Sequence, residues 1–151
     1  MGAINYRTNK YITLGLNTNE IEDDEDNFYY IQDIFEKCEK IIEKSIDFDY
    51  FQLTIKEGYY NGFFLDIDFL DFIYFDNIKE KNETIKEATK LKKILIELVE
   101  TCSLVACFPN WYTTYLNEEE TKKEINKAIK EIKSDLQKIP IYKNYKQSKA
   151  V

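Results

Sequence analysis

Phe51-Gln52-Leu53-Thr54-Ile55-Lys56-Glu57-Gly58-Tyr59-Tyr60-Asn61-Gly62-Phe63-Phe64-Leu65-Asp66-Ile67-Asp68 is the stretch that decides the fold. Phe51, Leu53 and Ile55 alternate with Gln52, Thr54 and Lys56, and Phe63, Leu65 and Ile67 alternate with Asp66 and Asp68. A period of two turns one set of side chains to a core and the other to the opposite face of a strand. Gly58 and Gly62 bracket the connection, so the two strands join in a hairpin with a long aromatic tip. Phe72-Ile73-Tyr74-Phe75 is predicted to add a third antiparallel strand.

Upstream, Tyr11-Ile12-Thr13-Leu14-Gly15-Leu16 reads as a first strand by its β-branched and aromatic content. The acidic run Asn19-Glu20-Ile21-Glu22-Asp23-Asp24-Glu25-Asp26-Asn27 ends where a helix is expected to begin. There Ile31, Ile34, Phe35, Cys38, Ile41 and Ile42 follow the i, i+3, i+4, i+7 rule. Downstream, a second helix is predicted from a cap at Asn82, with Ile85, Ala88, Leu91, Leu95, Leu98, Val99 and Cys102 on one face. Leu104 to Phe108 reads as a short apolar strand and Trp111 to Tyr115 as a further one. The last helix opens at Asn117-Glu118-Glu119-Glu120, a cap followed by dipole-favouring acids. It carries Ile125, Ala128, Ile129, Ile132 and Leu136, and Pro140 ends it. The expected fold is α+β, an antiparallel sheet of about 4–6 strands with three helices packed mainly on one face. Residues 1–145 make one domain in this reading, and 146–151 a frayed C-terminal tail.

Composition narrows the function. Histidine is absent, whereas twelve tyrosines, ten phenylalanines and one tryptophan make up 15% of the 151 residues. The first fact removes the commonest general base and the commonest transition-metal ligand. The second supplies more ring surface than a small core requires. A net charge of −7 argues against direct binding of nucleic acid, which needs a basic surface, and suits a basic protein partner instead. Cys38, Cys102 and Cys107 have neither zinc spacing nor an even count, and are expected as buried free thiols. No signal-peptide layout and no apolar run near ~20 residues occurs, so a soluble, cytoplasmic protein without membrane contact is expected.

Catalytic patterns fail one by one. Asp66 and Asp68 share a strand face, and with Asp71 they invite a hard cation, but the solvent side of an alternating strand explains them as well. Cys102 and Cys107 lack a histidine to lower their pKa, and nothing near Ser103 activates its hydroxyl. Four scattered glycines build no phosphate loop. A non-catalytic binding protein without cofactor or metal is the reading.

Two acidic stretches and two aromatic clusters are candidate binding elements. Glu20, Glu22, Asp23, Asp24, Glu25 and Asp26 form one acidic stretch, and Glu118, Glu119 and Glu120 the other. Each is a solvated helix cap or a patch for a basic partner. Tyr59 and Tyr60 at the hairpin tip, and Trp111 and Tyr112 after the turn signal Pro109-Asn110, place rings beside loops. There they either close the ends of the sheet or stack a base, at roughly 1–3 kcal/mol per base. Arg7 is the only arginine, hence the only planar fork for a phosphate or carboxylate.

Ile4-Asn5-Tyr6-Arg7-Thr8 with Tyr11 to Leu16, Gly58-Tyr59-Tyr60-Asn61-Gly62-Phe63, and Cys107-Phe108-Pro109-Asn110-Trp111 carry a likeness. In them the chain resembles small acidic accessory proteins of phages and prophages of low-GC Gram-positive bacteria. The Lys-, Ile- and Asn-rich, Arg-poor composition is of the AT-rich coding type. The resemblance implies a context, inhibition of host defence, and no named activity. Two functions follow as expectations. One is a sponge for a nucleotide-derived immune signal, a small nucleotide-like ligand stacked by Tyr59, Tyr60, Trp111 and Tyr112 with Arg7 on its phosphates. The other is an acidic, anti-CRISPR-like inhibitor that masks the basic nucleic-acid-binding surface of a host defence complex through the two acidic stretches. Homo-oligomerisation is left open.

Overall fold

The computed structural model describes residues 11–17, 25–57, 62–70, 72–108 and 113–144, with the backbone alone at 25–28 and 57. Five strands, β1 (Leu14–Leu16), β2 (Phe51–Glu57), β3 (Phe63–Phe69), β4 (Leu104–Phe108) and β5 (Thr114–Tyr115), form one antiparallel sheet in the order β2-β3-β1-β4-β5. Three long helices, α1 (Glu25–Ile42), α2 (Ile78–Cys102) and α3 (Glu118–Lys138), complete the α+β fold.

The hairpin follows from its alternation. β2 and β3 pair along their whole length, from Phe51 opposite Phe69 to Glu57 opposite Phe63. Phe51, Leu53, Leu65 and Ile67 are buried, and so are Leu14, Leu104 and Ala106 in the same register. This face packs against Ile34, Cys38 and Ile41 of α1, Leu91, Leu95 and Leu98 of α2, and Ile125, Ile129 and Ile132 of α3. Aromatic edges lock the layers, with Phe35 meeting Phe63 at 5.5 Å and Tyr11 meeting Phe69 at 5.1 Å. Tyr11 also donates its hydroxyl to Asp135 of α3 at 2.6 Å.

Caps define the helix ends. Asn117 and Glu120 make the reciprocal capping box at the start of α3, as its sequence announces. α2 is capped five residues before the expected cap at Asn82, which lies exposed within the helix. Asn77 is the cap, accepting from the Glu80 N–H at 2.8 Å, while the Glu80 carboxylate accepts from the Asp76 N–H. Ile78 is 56% exposed, so the apolar period starts later than the helix does. At the other end Ser103 takes φ 55°, and one left-handed residue turns α2 directly into β4.

Phe72 to Phe75 is no third strand of the hairpin. Phe75 makes only an isolated parallel bridge with Ile141, donating to Pro140 O and accepting from Tyr142 N–H. Phe72 and Phe75 stack at 5.0 Å and both join the core. A strand would send residues three apart to opposite faces, so shared burial of these two rings rules out extended pairing. The strand expected from Tyr11 shortens to Leu14–Leu16. Of the Trp111–Tyr115 strand, the described part is Thr114–Tyr115, and the expected tail at 146–151 lies outside the described residues.

Candidate functional site

Of the residues singled out for ligand binding, Arg7, Tyr59, Tyr60, Trp111 and Tyr112 lie outside the described residues, and so do Asp71, Glu20, Glu22, Asp23 and Asp24. The strands that flank the two aromatic clusters are described. Register places Gly15 opposite both Phe64 and Val105, with Leu16 opposite Leu104. The start of β3 and the start of β4 therefore share one end of the sheet. Phe63, the first β3 residue after Tyr59 and Tyr60 in sequence, stands at that end, whereas Phe108, the last described residue before Trp111 and Tyr112, stands at the opposite end of β4.

Glu25 and Asp26 stand in the first turn of α1, where negative charge favours the helix dipole. Glu118, Glu119 and Glu120 begin α3 and already have local work there. Glu120 closes the capping box, and Glu118 lies 3.5 Å from Lys122, which also pairs with Glu100 at 3.7 Å. Glu119 is exposed.

The polar face of β3 departs from the expected solvated surface. Asp66 is 4% exposed, and its Oδ2 lies 2.6 Å from the Lys56 ammonium across the hairpin. The contact is a close charge pair without hydrogen-bond alignment at that oxygen. Asp66 raises the pKa of the otherwise exposed Lys56, through contact first and charge second. Burial of this carboxylate comes from its central position, opposite Thr54 and beside the short β1. Among the described residues no group of three acidic, cysteine or histidine side chains is placed to hold a metal ion. Cys38, Cys102 and Cys107 are buried and unbridged. Burial pushes the Cys107 thiol up to about 12 and raises Cys38 and Cys102 as well. None of the three has the lowered pKa a nucleophile needs.

The two edges of the sheet differ. At the β4–β5 side, the outward N–H of Ala106 is taken by the buried Thr121 hydroxyl at 2.8 Å, and its carbonyl by Leu116 N–H at 2.8 Å. β5 beyond it is only two residues long. β2, at the other edge, has seven residues. Leu70 N–H donates to Tyr50 O at 3.2 Å, which sets the ladder phase. Even-numbered residues of β2 bond to β3, and Phe51, Leu53 and Ile55 turn both N–H and C=O outward. The far side of β3 agrees with this phase. Cys107 N–H donates to Thr13 O, so Leu14 bonds towards Leu65 and Leu65 cannot also bond towards Ile55.

A groove of about 480 Å³ runs beside this edge, between β2 and the end of α1 with the short 3-10 turn Glu43–Ser45. Every charged side chain that lines it is a carboxylate: Glu39, Glu43, Asp49 and Asp68. None of the four forms an ion pair among the described residues. Lys44 stands close in sequence, but its ammonium is held by Glu97 at 2.7 Å. Ile46 and Leu70, exposed at 81% and 59%, add apolar surface to the lining. The four acids are scattered over α1, the 3-10 turn, β3 and the loop before β2, so no run in the sequence marks them. The local signal is the alternation in Ile46-Asp47-Phe48-Asp49, an i, i+2 apolar spacing that a helix does not place on one face.

No helix among the described residues is long and apolar enough to cross a membrane. A scan against protein-family models and searches of curated proteins and of solved structures find no match to this chain, so the groove and the open strand edge carry the functional argument alone.

Proposed function

We propose that this chain is a non-catalytic binding protein that docks onto a basic surface of another protein. The observation that carries it is the groove beside β2, lined by Glu39, Glu43, Asp49 and Asp68 with no cation among them. Four carboxylates that form no ion pair among the described residues, set around apolar surface, repel phosphates and attract lysine and arginine. In the setting implied by the resemblance to phage accessory proteins, the partner is the basic nucleic-acid-binding surface of a host defence complex. The acids thus act from the end of α1 opposite to the Glu20–Asp26 run. Sequestration of a nucleotide-derived signal by Arg7, Tyr59, Tyr60, Trp111 and Tyr112 has less support. The described residues that flank those two ring clusters, Phe63 and Phe108, stand at opposite ends of the sheet.

Titration with a nine-residue peptide of alternating lysine and valine tests the reading, with a panel of cyclic and linear nucleotides run in parallel. The expected result is peptide binding that weakens about tenfold between low and physiological salt. It is lost when Glu39, Glu43, Asp49 and Asp68 are replaced together by their amides. A melting-point rise of several degrees with a nucleotide, and none with the peptide, would reverse the assignment in favour of the sponge.

A further inference from the structure

We infer that the partner is captured as an added β-strand, laid antiparallel or parallel along the free edge of β2. This rests on the basic-partner reading above and specifies how that partner is held. The outward N–H and C=O groups of Phe51, Leu53 and Ile55 supply three donors and three acceptors at regular spacing. An open edge of that kind is a template for another chain, and sheet proteins normally cover or shorten it. Both devices are present at the opposite edge, where β5 has two residues and Thr121 and Leu116 take the Ala106 groups, whereas among the described residues neither is present at β2. Phe51 to Ile55 spans about 13 Å at ~3.3 Å per residue, the length of a five-residue partner strand.

The chemistry of the occupant follows from what flanks the edge. Side chains of an added strand alternate between the two faces of the sheet. On the α1 side they meet Glu39, Glu43 and the exposed Ile46, and on the other side Asp68 and Leu70. An alternating segment turns lysine or arginine to one side and aliphatic residues to the other. Either orientation finds partners, because each side offers both carboxylate and apolar surface. A second copy of this chain does not, because edge-to-edge pairing would bring two sets of Glu39, Glu43, Asp49 and Asp68 together. Like charges directly apposed across strands are unfavourable, so the acidic rim keeps two such edges apart and leaves this one open to a basic segment.

The test uses the full chain, the alternating lysine–valine nonapeptide, and the same peptide N-methylated at every second residue to remove its strand-pairing donors. Binding and amide hydrogen exchange are both read. Strand addition predicts that the unmethylated peptide slows exchange at Leu53 and Ile55 at least tenfold and leaves Thr54 unchanged, since Thr54 already bonds to β3. It also predicts at least tenfold weaker binding of the methylated peptide, whose charge is the same. Equal affinity of the two peptides without protection at Leu53 and Ile55 overturns strand addition while leaving the acidic docking reading in place. Absence of binding by either peptide overturns both. Concentration-dependent protection of Leu53 and Ile55 in the protein alone overturns the basic partner in favour of a second copy. An Ile55→Pro variant gives an independent check. It removes one outward N–H and no ladder bond, so it should fold and bind the unmethylated peptide at least tenfold more weakly.

Discussion

Glu87 on α2 holds the backbone of Tyr50 at the entrance to β2. Its carboxylate accepts the Tyr50 N–H at 3.0 Å with one oxygen and the neighbouring Asp49 N–H at 2.7 Å with the other. The residue is only 8% exposed, so these two amides are what offset its burial. The same clamp fixes the mouth of the acidic groove, which Asp49 and Tyr50 line.

Glu87→Gln should therefore destabilise the fold by about 1–3 kcal/mol, because an amide can accept at one oxygen only and its NH₂ faces the other N–H. Burial is the leading influence on Glu87 and raises its pKa above 4.5, with the two backbone bonds pulling the other way. The folded chain thus keeps this proton to higher pH than the unfolded chain. Its titration contributes stability that is complete below the ordinary glutamate range and is lost as pH rises through the raised value. Urea unfolding of both proteins across that window should show the wild-type advantage shrinking with rising pH. An advantage that grows instead would mean the amides outweigh burial.

Gly15 sits in the central strand with no room for a side chain. A Cβ there would come 2.8 Å from Cδ1 of Phe64 and 3.1 Å from Sγ of Cys107. Gly15→Ala should cost about 1–3 kcal/mol by overpacking. Pairing it with Phe64→Leu, which withdraws the ring, should recover part of the loss. Strictly additive effects in the double variant, measured by chemical denaturation, would show that Phe64 is not the obstacle.

The three thiols should be chemically silent in the folded protein. Burial raises all of them above 9.0, Cys107 to about 12. Labelling by a thiol-specific disulfide reagent at neutral pH is expected to run at the rate of unfolding, and to become fast in denaturant. Rapid stoichiometric labelling under native conditions would contradict their placement. Because the folded values lie above the unfolded ones, stability should be unaffected below pH 9 and fall as pH climbs towards 12.

Ser103 adopts φ 55° at the junction of α2 and β4. Left-handed geometry costs a residue with a Cβ of the order of 1 kcal/mol, which glycine avoids. Ser103→Gly should raise the melting temperature by a few degrees, and Ser103→Val should lower it. A glycine variant with an unchanged or lower midpoint would show that the serine side chain compensates locally.

Much of this architecture is legible in the chain because short-range periodicity is enough for it. Alternation over 51–56 and 63–68 specifies the hairpin, and the spacing of Ile34, Cys38 and Ile41 specifies the inner side of α1. Asn117 to Glu120 is a complete start signal. Asn77 and Glu80 carry the same signal, obscured because the exposed Ile78 breaks the apolar rhythm next to it. Phe72 to Phe75 misleads in the other direction, since strand-like composition there serves two rings that turn inward together. The groove is illegible for a different reason. It depends on which strand lies at the edge, and strand order is set by long-range packing that no local window contains. Asp66 is a case of the same kind, polar in the pattern and buried by its central place.

Placing β1 in the middle of the sheet has a consequence for synthesis. Leu14 leaves the ribosome early, yet its neighbours on either side, Leu65 and Ala106, are made much later. The β2–β3 hairpin can close as soon as residue 69 emerges. β1 can then pair with β3, but its other side stays open until β4 is made. The middle strand of the sheet is therefore flanked on both sides only once residue 108 has been synthesised, more than ninety residues after Leu14.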